Sequence, residues 1–361
     1  MKALIKKLDP WLLVSIFILA LISVSTLYSL SFSDQPPLIF FKKQVTWFIV
    51  GLLAFFVFAK IDFRVWQEKN LIAVLYTLVV LLLVLTLAFG KGAAGIPSWL
   101  KVFRLNIQPT ELAKLVVIFA LASYFSQRRR EFIRILASFS IVFVPAFLAF
   151  LQPDYGSVIF LCILWAVIVF ANGLTRKEFF AVMCIGLVLV TVIFIFFAKP
   201  YQRERVYTFL NPYRDPLGTG YAAIQAKIAV GSAGWWGKGL ESVQGRLRFL
   251  PEAKTDFFFA AFVEQWGFVG FVAMFIALVT IFLRMLFISK KSSSAFGRNI
   301  TEGLLFNLAL GFLFNAGMNI GILPVVGLSM PFLSYGGSNI LLSLISVGIA
   351  QSVKIRSEER Y

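Results

Sequence analysis

The sequence predicts an all-α polytopic membrane protein with about ten transmembrane helices and one large extracellular loop that contains an interfacial helix. Hydrophobic residues make up 60% of the 361-residue chain, whereas charged residues make up only 14%. Apolar runs of about 18 or more residues recur along its length, and a run of that length spans the hydrocarbon core of a bilayer. Histidine is absent, and Cys162 and Cys184 both lie inside apolar runs. A disulfide scaffold or a His/Cys metal site is therefore not expected.

Ten apolar stretches form the predicted spans. They cover about residues 11–30, 45–59, 71–90, 109–126, 135–151, 156–172, 178–198, 257–287, 302–321 and 338–353. No small-residue cleavage site follows the first stretch, so we expect a retained helix rather than a removed signal peptide. We expect one integral membrane domain over residues 1–361, because no heptads, low-complexity tract or soluble second domain interrupt the pattern.

The distribution of Lys and Arg predicts the orientation. If the spans alternate, the segments on the side of the N-terminus carry 19 basic residues and the opposite side carries 14. Nine of those 14 lie in one long loop, about residues 199–256, and long loops translocate largely regardless of charge. Both termini are therefore expected in the cytoplasm. The net charge of +17 reflects this topology, and no basic stripe on a soluble domain indicates nucleic-acid binding.

The long outer loop is both basic and aromatic. It contains nine basic residues, four tyrosines and the pair Trp235 and Trp236. Segment 221–230 is mostly apolar and has helical propensity, so we expect an interfacial helix with the tryptophans as headgroup anchors. The cations either contact lipid headgroups and water, or form a basic vestibule for an anionic substrate headgroup.

Several residues that are costly in lipid occur where spans meet the outer face. Pro109 is in the first turn of span four, where Glu111 and Lys114 follow at i and i+3 spacing. Asp154 follows Pro153 at the end of span five, and Asp256 precedes span eight. Their convergence on one face indicates a site.

Each of these residues also has a structural interpretation. Asp256 can be an N-cap, Asp154 a turn residue, and Glu111 with Lys114 a helix-pairing ion pair. Glu264, two turns into span eight, is expected to be a packing or supporting group rather than a catalyst.

One glycine pair, at the outer end of span ten, can likewise be either a simple turn or part of a site. Gly336 and Gly337 precede that span and permit a close backbone approach or a positive φ.

The sequence resembles the shape, elongation, division and sporulation family, and most of all its rod-shape branch. The stretches that carry the resemblance run from about residue 90 to the C-terminus: "QPTELAKL", "QPDYGS", "NPYRDPLGTGY", "GKGL", "KTDF" followed by "EQWGFVG", and "GLSMPFLSYGGSN". The chain departs from the family where histidine often precedes Thr-Asp-Phe, since it has Glu252, Ala253 and Lys254 there. It also has Ser98 before Trp99 where the family often has arginine.

The resemblance implies polymerisation of lipid II, the undecaprenyl-pyrophosphate-linked disaccharide pentapeptide, into glycan strands at the outer face of the bacterial cytoplasmic membrane. A sugar hydroxyl is the acceptor, so a carboxylate within reach can act as general base. We expect Asp256 to be that base, in an inverting transfer. The expected substrate-contacting residues are Trp99, Arg104, Gln108, Glu111, Lys114, Gln152, Asp154, Lys238 and Ser334, and the expected supporting residues are Glu264, Pro109, Gly336 and Gly337.

The leaving pyrophosphate needs charge neutralisation, which Arg, Lys or a divalent cation such as Mg²⁺ or Mn²⁺ can provide. No organic cofactor is expected. The resemblance also implies a class B penicillin-binding protein as the transpeptidase partner. Two other classes stay open: a lipid-linked oligosaccharide flippase or transporter, which would place charges near the midplane at a repeat interface, and a non-enzymatic cell-wall scaffold.

Overall fold

Helices make up most of the described part of the protein in its computed structural model. The structure describes the chain except residues 1–6, 33, 35, 91–98, 103–104, 128–131, 174, 183, 185, 187–199, 242–248 and 359–361. The helices are α1 (Pro10–Leu30), α2 (Ile39–Lys60), α3 (Lys69–Phe89), α4 (Pro109–Ser126), α5 (Phe132–Leu151), α6 (Tyr155–Ala171), α7 (Pro200–Leu210), α8 (Tyr221–Gly231), α9 (Phe258–Lys291), α10 (Ala295–Ile320) and α11 (Gly337–Glu358).

The predicted fold class is confirmed. Within the described residues, seven helices are long and apolar enough to cross a membrane, and apolar helices at Ile135–Leu151 and Tyr155–Ala171 are slightly shorter. These nine helices correspond to nine of the ten predicted spans. Most of the remaining predicted span, residues 178–198, lies outside the described residues. A short antiparallel hairpin, β1 (Leu100–Val102) and β2 (Leu105–Ile107), precedes α4.

Small residues allow the central helices to approach closely. Helix α11 runs along α2, and α9 packs against both α1 and α10. A Cβ on Gly348 of α11 would lie 2.7 Å from the carbonyl oxygen of Phe55, and one on Gly51 of α2 would lie 2.5 Å from Leu344. Such glycines are typical of membrane interfaces, where packing rather than the hydrophobic effect brings helices together.

A buried ion pair joins the helix ends on one side of the bundle. Asp9 is fully buried, caps α1 and accepts hydrogen bonds from the guanidinium of Arg284 in α9. The Asp9 N–H donates to Gln351 of α11, and Ser352 of the same helix donates to the carbonyl of Ile61 after α2. Four helices are thus fixed at this end. The link between α1 and α2, the start of α9 and the residues between α10 and α11 lie together at the other end.

Helix α9 is interrupted at Gly267, whose φ of 65° and ψ of −165° are not helical. The outer loop provides hydrogen-bond partners for the interrupted backbone. The N–H groups of Phe268 and Val269 donate to the carbonyls of Gly234 and Trp235 at 3.0 and 3.1 Å. A break at this depth is tolerated in a membrane helix because neighbouring protein satisfies the freed groups. Segment 234–238 of the loop is therefore an integral part of the helix bundle.

We expect Gly267→Ala to destabilise the protein. The backbone conformation is essentially restricted to glycine, and a Cβ would lie 2.3 Å from the backbone nitrogen of Gly237. The backbone strain alone should lower the free energy of unfolding by about 1–3 kcal/mol. Thermal unfolding in detergent measures the effect. Gly231→Ala is the matched control, because no atom lies within 4 Å of that Cβ, and equal unfolding temperatures for the two variants would contradict the assignment.

Candidate active site

Asp256 lies in a turn directly before α9, at the end of the bundle opposite the Asp9–Arg284 pair. The N-cap of α9 is Phe257, so Asp256 does not occupy the capping position. The capping function is supplied by another helix: the side-chain carbonyl of Asn319, in α10, accepts the N–H of Ala260 at 3.0 Å. Ala260 is the third residue of α9, which is a usual donor to an N-cap side chain. The Asp256 carboxylate is therefore not committed to capping this helix.

Two asparagines hold the backbone of Asp256. The carbonyl of Asp256 accepts hydrogen bonds from Asn319 at 2.9 Å and from Asn315 at 3.0 Å. Both asparagines are fully buried, and they lie one turn apart on the same face of α10. Asn315 also donates to the carbonyl of Leu328 at 2.8 Å. The amide of Asn315 therefore joins the turn before α9 to the segment between α10 and α11.

The two residues before Asp256 are held in the same way. The carbonyl of Thr255 accepts the hydroxyl of Ser334 at 2.7 Å, and the carbonyl of Lys254 accepts the N–H of Tyr335 at 2.8 Å. Ser334 is buried, and its hydroxyl oxygen also accepts the N–H of Met330. Three consecutive carbonyls are thus anchored, which fixes the position from which the half-buried side chain of Asp256 extends.

We call residues 322–336, between α10 and α11, the site loop, because it borders Asp256 and two other predicted site residues. A Cβ on Gly327 would lie 3.5 Å from Oδ2 of Asp256. The neighbouring Val326 rests on Gly156 in the first turn of α6, where a Cβ would be 2.3 Å from the Val326 carbonyl. The start of α6 and the turn that carries Asp256 therefore lie on the two sides of one short segment.

Asp154 is the N-cap of α6. Its carboxylate accepts the N–H of Ser157 at 3.1 Å and the Ser157 hydroxyl at 2.7 Å. Thr110 and Gln108, at the start of α4, donate to its second oxygen at 3.4 and 3.5 Å. Asp154 thus joins the N-terminal ends of α4 and α6, with Pro109 as the first residue of α4.

Glu111 and Lys114 form an ion pair at 2.6 Å in the first turns of α4, with side chains that are 15% and 7% exposed. The Lys114 ammonium also lies 4.4 Å from the centre of the Phe160 ring. The pair borders a cavity of about 20 Å³ that the site loop lines with Ser329 and Pro331. This volume accommodates about one water molecule. The pair therefore lies beneath the same loop that flanks Asp256.

The remaining predicted site residues lie around this arrangement. Lys238 contacts Glu264 at 3.0 Å and Ser232 at 2.7 Å, and its N–H donates to the Glu264 carbonyl. Glu264 is fully buried in α9, so this contact holds the outer loop on that helix. Gln152 is buried and donates to the carbonyl of Leu83 in α3.

The other predicted residues have simpler environments. Trp99, before β1, is 38% exposed, and Arg104 lies outside the described residues. Gly337 has the close contact expected of it, because a Cβ there would lie 2.1 Å from the Trp47 ring. Neither Gly336 nor Gly337 has a positive φ.

A divalent cation would find one carboxylate here rather than a preformed cage. Among the described residues, no three Asp, Glu, His or Cys side chains are grouped to hold a metal. Mg²⁺ is commonly bound through one or two carboxylates and substrate phosphates, with water completing the shell. Either Asp154 or Glu111, which lie beside the site loop, fits as a carboxylate ligand of that kind.

The sequence interpretation missed Asn315 and Asn319. The signal was two asparagines four residues apart in the apolar stretch "LGFLFNAGMNI", since polar side chains on one face of a membrane helix usually bond to a neighbouring element. It also missed Asp34, which pairs with Lys254. That contact gives no local signal, because 220 residues separate the two positions.

Comparisons with known proteins agree with this architecture. Residues 7–359 match the family model for cell cycle proteins of the FtsW, RodA and SpoVE type. The chain is 33% identical to peptidoglycan glycosyltransferase MrdB of Escherichia coli (strain K12), over 96% of this chain and 93% of that protein. It is 32% identical to stage V sporulation protein E of Bacillus subtilis (strain 168), over 96% and 98%.

Solved structures show the same fold. The chain superposes with a TM-score of 0.83 and 28% identity, covering 98% of both chains, on a structure described as "Structural coordination of polymerization and crosslinking by a peptidoglycan synthase complex". It superposes on the Thermus thermophilus rod shape determining protein RodA with a TM-score of 0.71 and 24% identity, again over 98% of both chains. The chain therefore belongs to the FtsW, RodA and SpoVE family of cell cycle proteins, the shape, elongation, division and sporulation family.

Proposed function

We propose that the chain is a peptidoglycan glycosyltransferase that polymerises lipid II into glycan strands, with Asp256 as the general base. The observation that carries the proposal is the anchored turn at Lys254–Asp256, in which protein contacts fix the backbone while the capping of α9 is left to Asn319. The relatives named peptidoglycan glycosyltransferase support the activity and the lipid II substrate.

The reaction needs one proton acceptor and one stabilised leaving group. The Asp256 carboxylate removes the proton from the acceptor sugar hydroxyl, whose oxygen forms a bond to the anomeric carbon of the donor. The bond from that carbon to the pyrophosphate oxygen breaks, and the electron pair leaves with the pyrophosphate. Attack opposite the leaving group converts the α-linked donor into a β-linked polymer. A carboxylate on a fixed backbone suits this role, because general-base catalysis requires hydrogen-bond reach to the hydroxyl.

The negative charge that develops on the pyrophosphate requires cations close to the reacting atoms. We assign Arg104 and Lys114 to the substrate or its phosphates. Glu111 is paired with Lys114 within α4, and Asp154 joins the starts of α4 and α6. Trp99, Gln108, Gln152, Lys238 and Ser334 border the substrate region or brace its walls. When bound, Mg²⁺ or Mn²⁺ would add charge neutralisation at the pyrophosphate, with Asp154 or Glu111 rather than the base as its protein carboxylate.

The charge asymmetry gives the orientation of the chain. The end of the bundle at which Asp256 lies then decides which side of the membrane it faces. We place both termini in the cytoplasm and Asp256 at the outer face of the bacterial cytoplasmic membrane. A carboxylate at this level is close to water, where ionisation is less costly than at the bilayer centre. Lipid headgroups occupy the same level, so the base can meet a substrate hydroxyl there.

The second component of the reaction system is a transpeptidase. We propose a class B penicillin-binding protein as the partner that crosslinks the strands. The similar solved structure belongs to a peptidoglycan synthase complex in which polymerisation and crosslinking are coordinated, and this supports the pairing.

A transporter is the rival function that one observation favours. Discontinuous membrane helices often form transporter binding sites, and α9 is discontinuous at Gly267. Here, however, the interrupted backbone is hydrogen-bonded to loop residues 234–238, so those groups are not available to a transported ion or solute. A non-enzymatic scaffold would not need the carboxylate at position 256, whereas the glycosyltransferase would. The Asp256→Asn substitution described below distinguishes the two.

The orientation predicts the labelling of single cysteines. Leu217 is 88% exposed in the outer loop, and Ser293 is exposed between α9 and α10 at the opposite end of the bundle. In a variant lacking Cys162 and Cys184, Leu217→Cys should react with an impermeant maleimide on intact cells. Ser293→Cys should react only after permeabilisation. The reverse pattern would place Asp256 on the cytoplasmic side and contradict the proposed function.

Asp256→Asn should abolish glycan polymerisation from purified lipid II while leaving thermal unfolding unchanged. The amide retains the size of the side chain but not the proton affinity of a base, and a base contributes roughly 10²- to 10⁴-fold in rate. The backbone carbonyl that binds Asn315 and Asn319 is unaffected. Asp256→Glu should also be slow, because its carboxylate is displaced by one methylene.

The exposed Glu252, in the same turn, provides the matched control. Glu252→Gln removes the same charge and should leave the rate near that of the wild type. Near-wild-type polymerisation by Asp256→Asn would exclude Asp256 as the base and return attention to Glu111 and Asp154.

A further inference from the structure

Lys254 is held through its side chain as well as its carbonyl. Its ammonium forms an ion pair with Asp34 at 2.5 Å and lies 4.3 Å from the centre of the Phe40 ring. The two charged side chains are only 21% and 8% exposed. Removing one partner of an ion pair that is this shielded from water strongly destabilises the folded protein, because the other charge is left buried and unpaired. The geometry of such a pair is also more restricted than that of a surface pair.

The partners of the Lys254 side chain lie between residues 34 and 40. This segment makes none of the hydrogen bonds that anchor the carbonyls of residues 254–256. Asp34 lies in the link between α1 and α2, where its N–H donates to the carbonyl of Ser31. Phe40 is in the first turn of α2, and its ring meets that of Tyr335 at a centroid distance of 4.7 Å. The Tyr335 N–H in turn donates to the Lys254 carbonyl.

These contacts form a closed series of interactions that begins and ends at Lys254. The Lys254 ammonium contacts the Phe40 ring, and the Phe40 ring contacts the Tyr335 ring. The Tyr335 N–H then donates to the Lys254 carbonyl. The same ammonium is also paired with Asp34. The site loop, the α1–α2 link and the turn before α9 are therefore connected two residues before Asp256.

We propose that Asp34 and Lys254 are positioning residues for glycosyl transfer. Their ion pair attaches the turn that carries Asp256 to the α1–α2 link and so fixes the direction from which the Asp256 carboxylate approaches the acceptor hydroxyl. This proposal rests on the proposed function of Asp256. The physical reason is that a displacement of about 1 Å at a reacting group can cost about 10²-fold in rate, even when substrate binding is retained.

A merely structural ion pair would behave differently from a positioning pair. Loss of a structural pair lowers the unfolding temperature and the amount of folded protein, whereas kcat per folded molecule stays the same. Loss of a positioning pair lowers kcat per folded molecule and leaves KM for lipid II nearly unchanged, since neither residue is assigned to substrate. The conservative substitution Lys254→Arg retains the ion pair and should restore the rate.

The experiment measures kcat and KM for lipid II polymerisation, normalised to folded protein, for Asp34→Asn, Lys254→Met and Lys254→Arg. We expect the first two to lose about 10- to 100-fold in kcat with little change in KM, and Lys254→Arg to recover most of that loss. Asp62→Asn is the matched control, because it removes a carboxylate that pairs with Arg356 at 3.3 Å at the opposite end of the bundle.

Two outcomes would overturn the proposal. One is a wild-type kcat per folded molecule in both Asp34→Asn and Lys254→Met. The other is a rate for Lys254→Arg as low as that for Lys254→Met, which would assign the effect to the lysine ammonium itself. Parallel assay of Asp256→Asn separates this failure from that of the proposed function. An active Asp256→Asn excludes the base, whereas an inactive Asp256→Asn together with wild-type rates for Asp34→Asn and Lys254→Met excludes only the positioning role.

Discussion

The arrangement of the site depends on the side-chain amide of Asn319, which bonds in two directions. Its carbonyl accepts the N–H of Ala260 in the first turn of α9, and its amino group donates to the carbonyl of Asp256. Unpaired backbone groups cost several kcal/mol each in a lipid environment, so a helix that begins inside the bundle needs such partners. Because α10 supplies them, α9 can begin without an N-capping side chain of its own, and the acidic residue at its start does not have to act as the cap.

The surrounding contacts extend this constraint to the rest of the outer end. Ser334 and Tyr335 hold the carbonyls of the two preceding residues, Thr255 and Lys254. Asn315 joins the same turn to the site loop. The outer loop is fixed independently, through the contact of Lys238 with Glu264 and the backbone pairing at the break in α9. The carboxylate of Asp256 thus lies among elements that are hydrogen-bonded to one another, which is the condition for a preorganised site.

The sequence was sufficient to predict the features with a local cause. Apolar runs located the helices, and Asp256 was expected directly before the span that forms α9. The break at Gly267 was not predicted, since a glycine inside an apolar run gives no indication of its φ angle. The cap from Asn319 and the Asp34–Lys254 pair were missed because they join residues 59 and 220 positions apart. Ser334 was expected to contact substrate, and the structure shows its hydroxyl bonded to Thr255 and Met330.

The most direct test of this account is the polymerisation rate of Asn319→Leu, measured per folded molecule with purified lipid II. Leucine has a similar size but removes both hydrogen bonds, so Asp256 would lose a backbone anchor and α9 its cap. We expect a lower unfolding temperature and, in the protein that remains folded, a loss of about 10²-fold in kcat with lipid II binding retained. A folded Asn319→Leu protein with the wild-type kcat would contradict the account, because Asp256 would then be positioned without the amide.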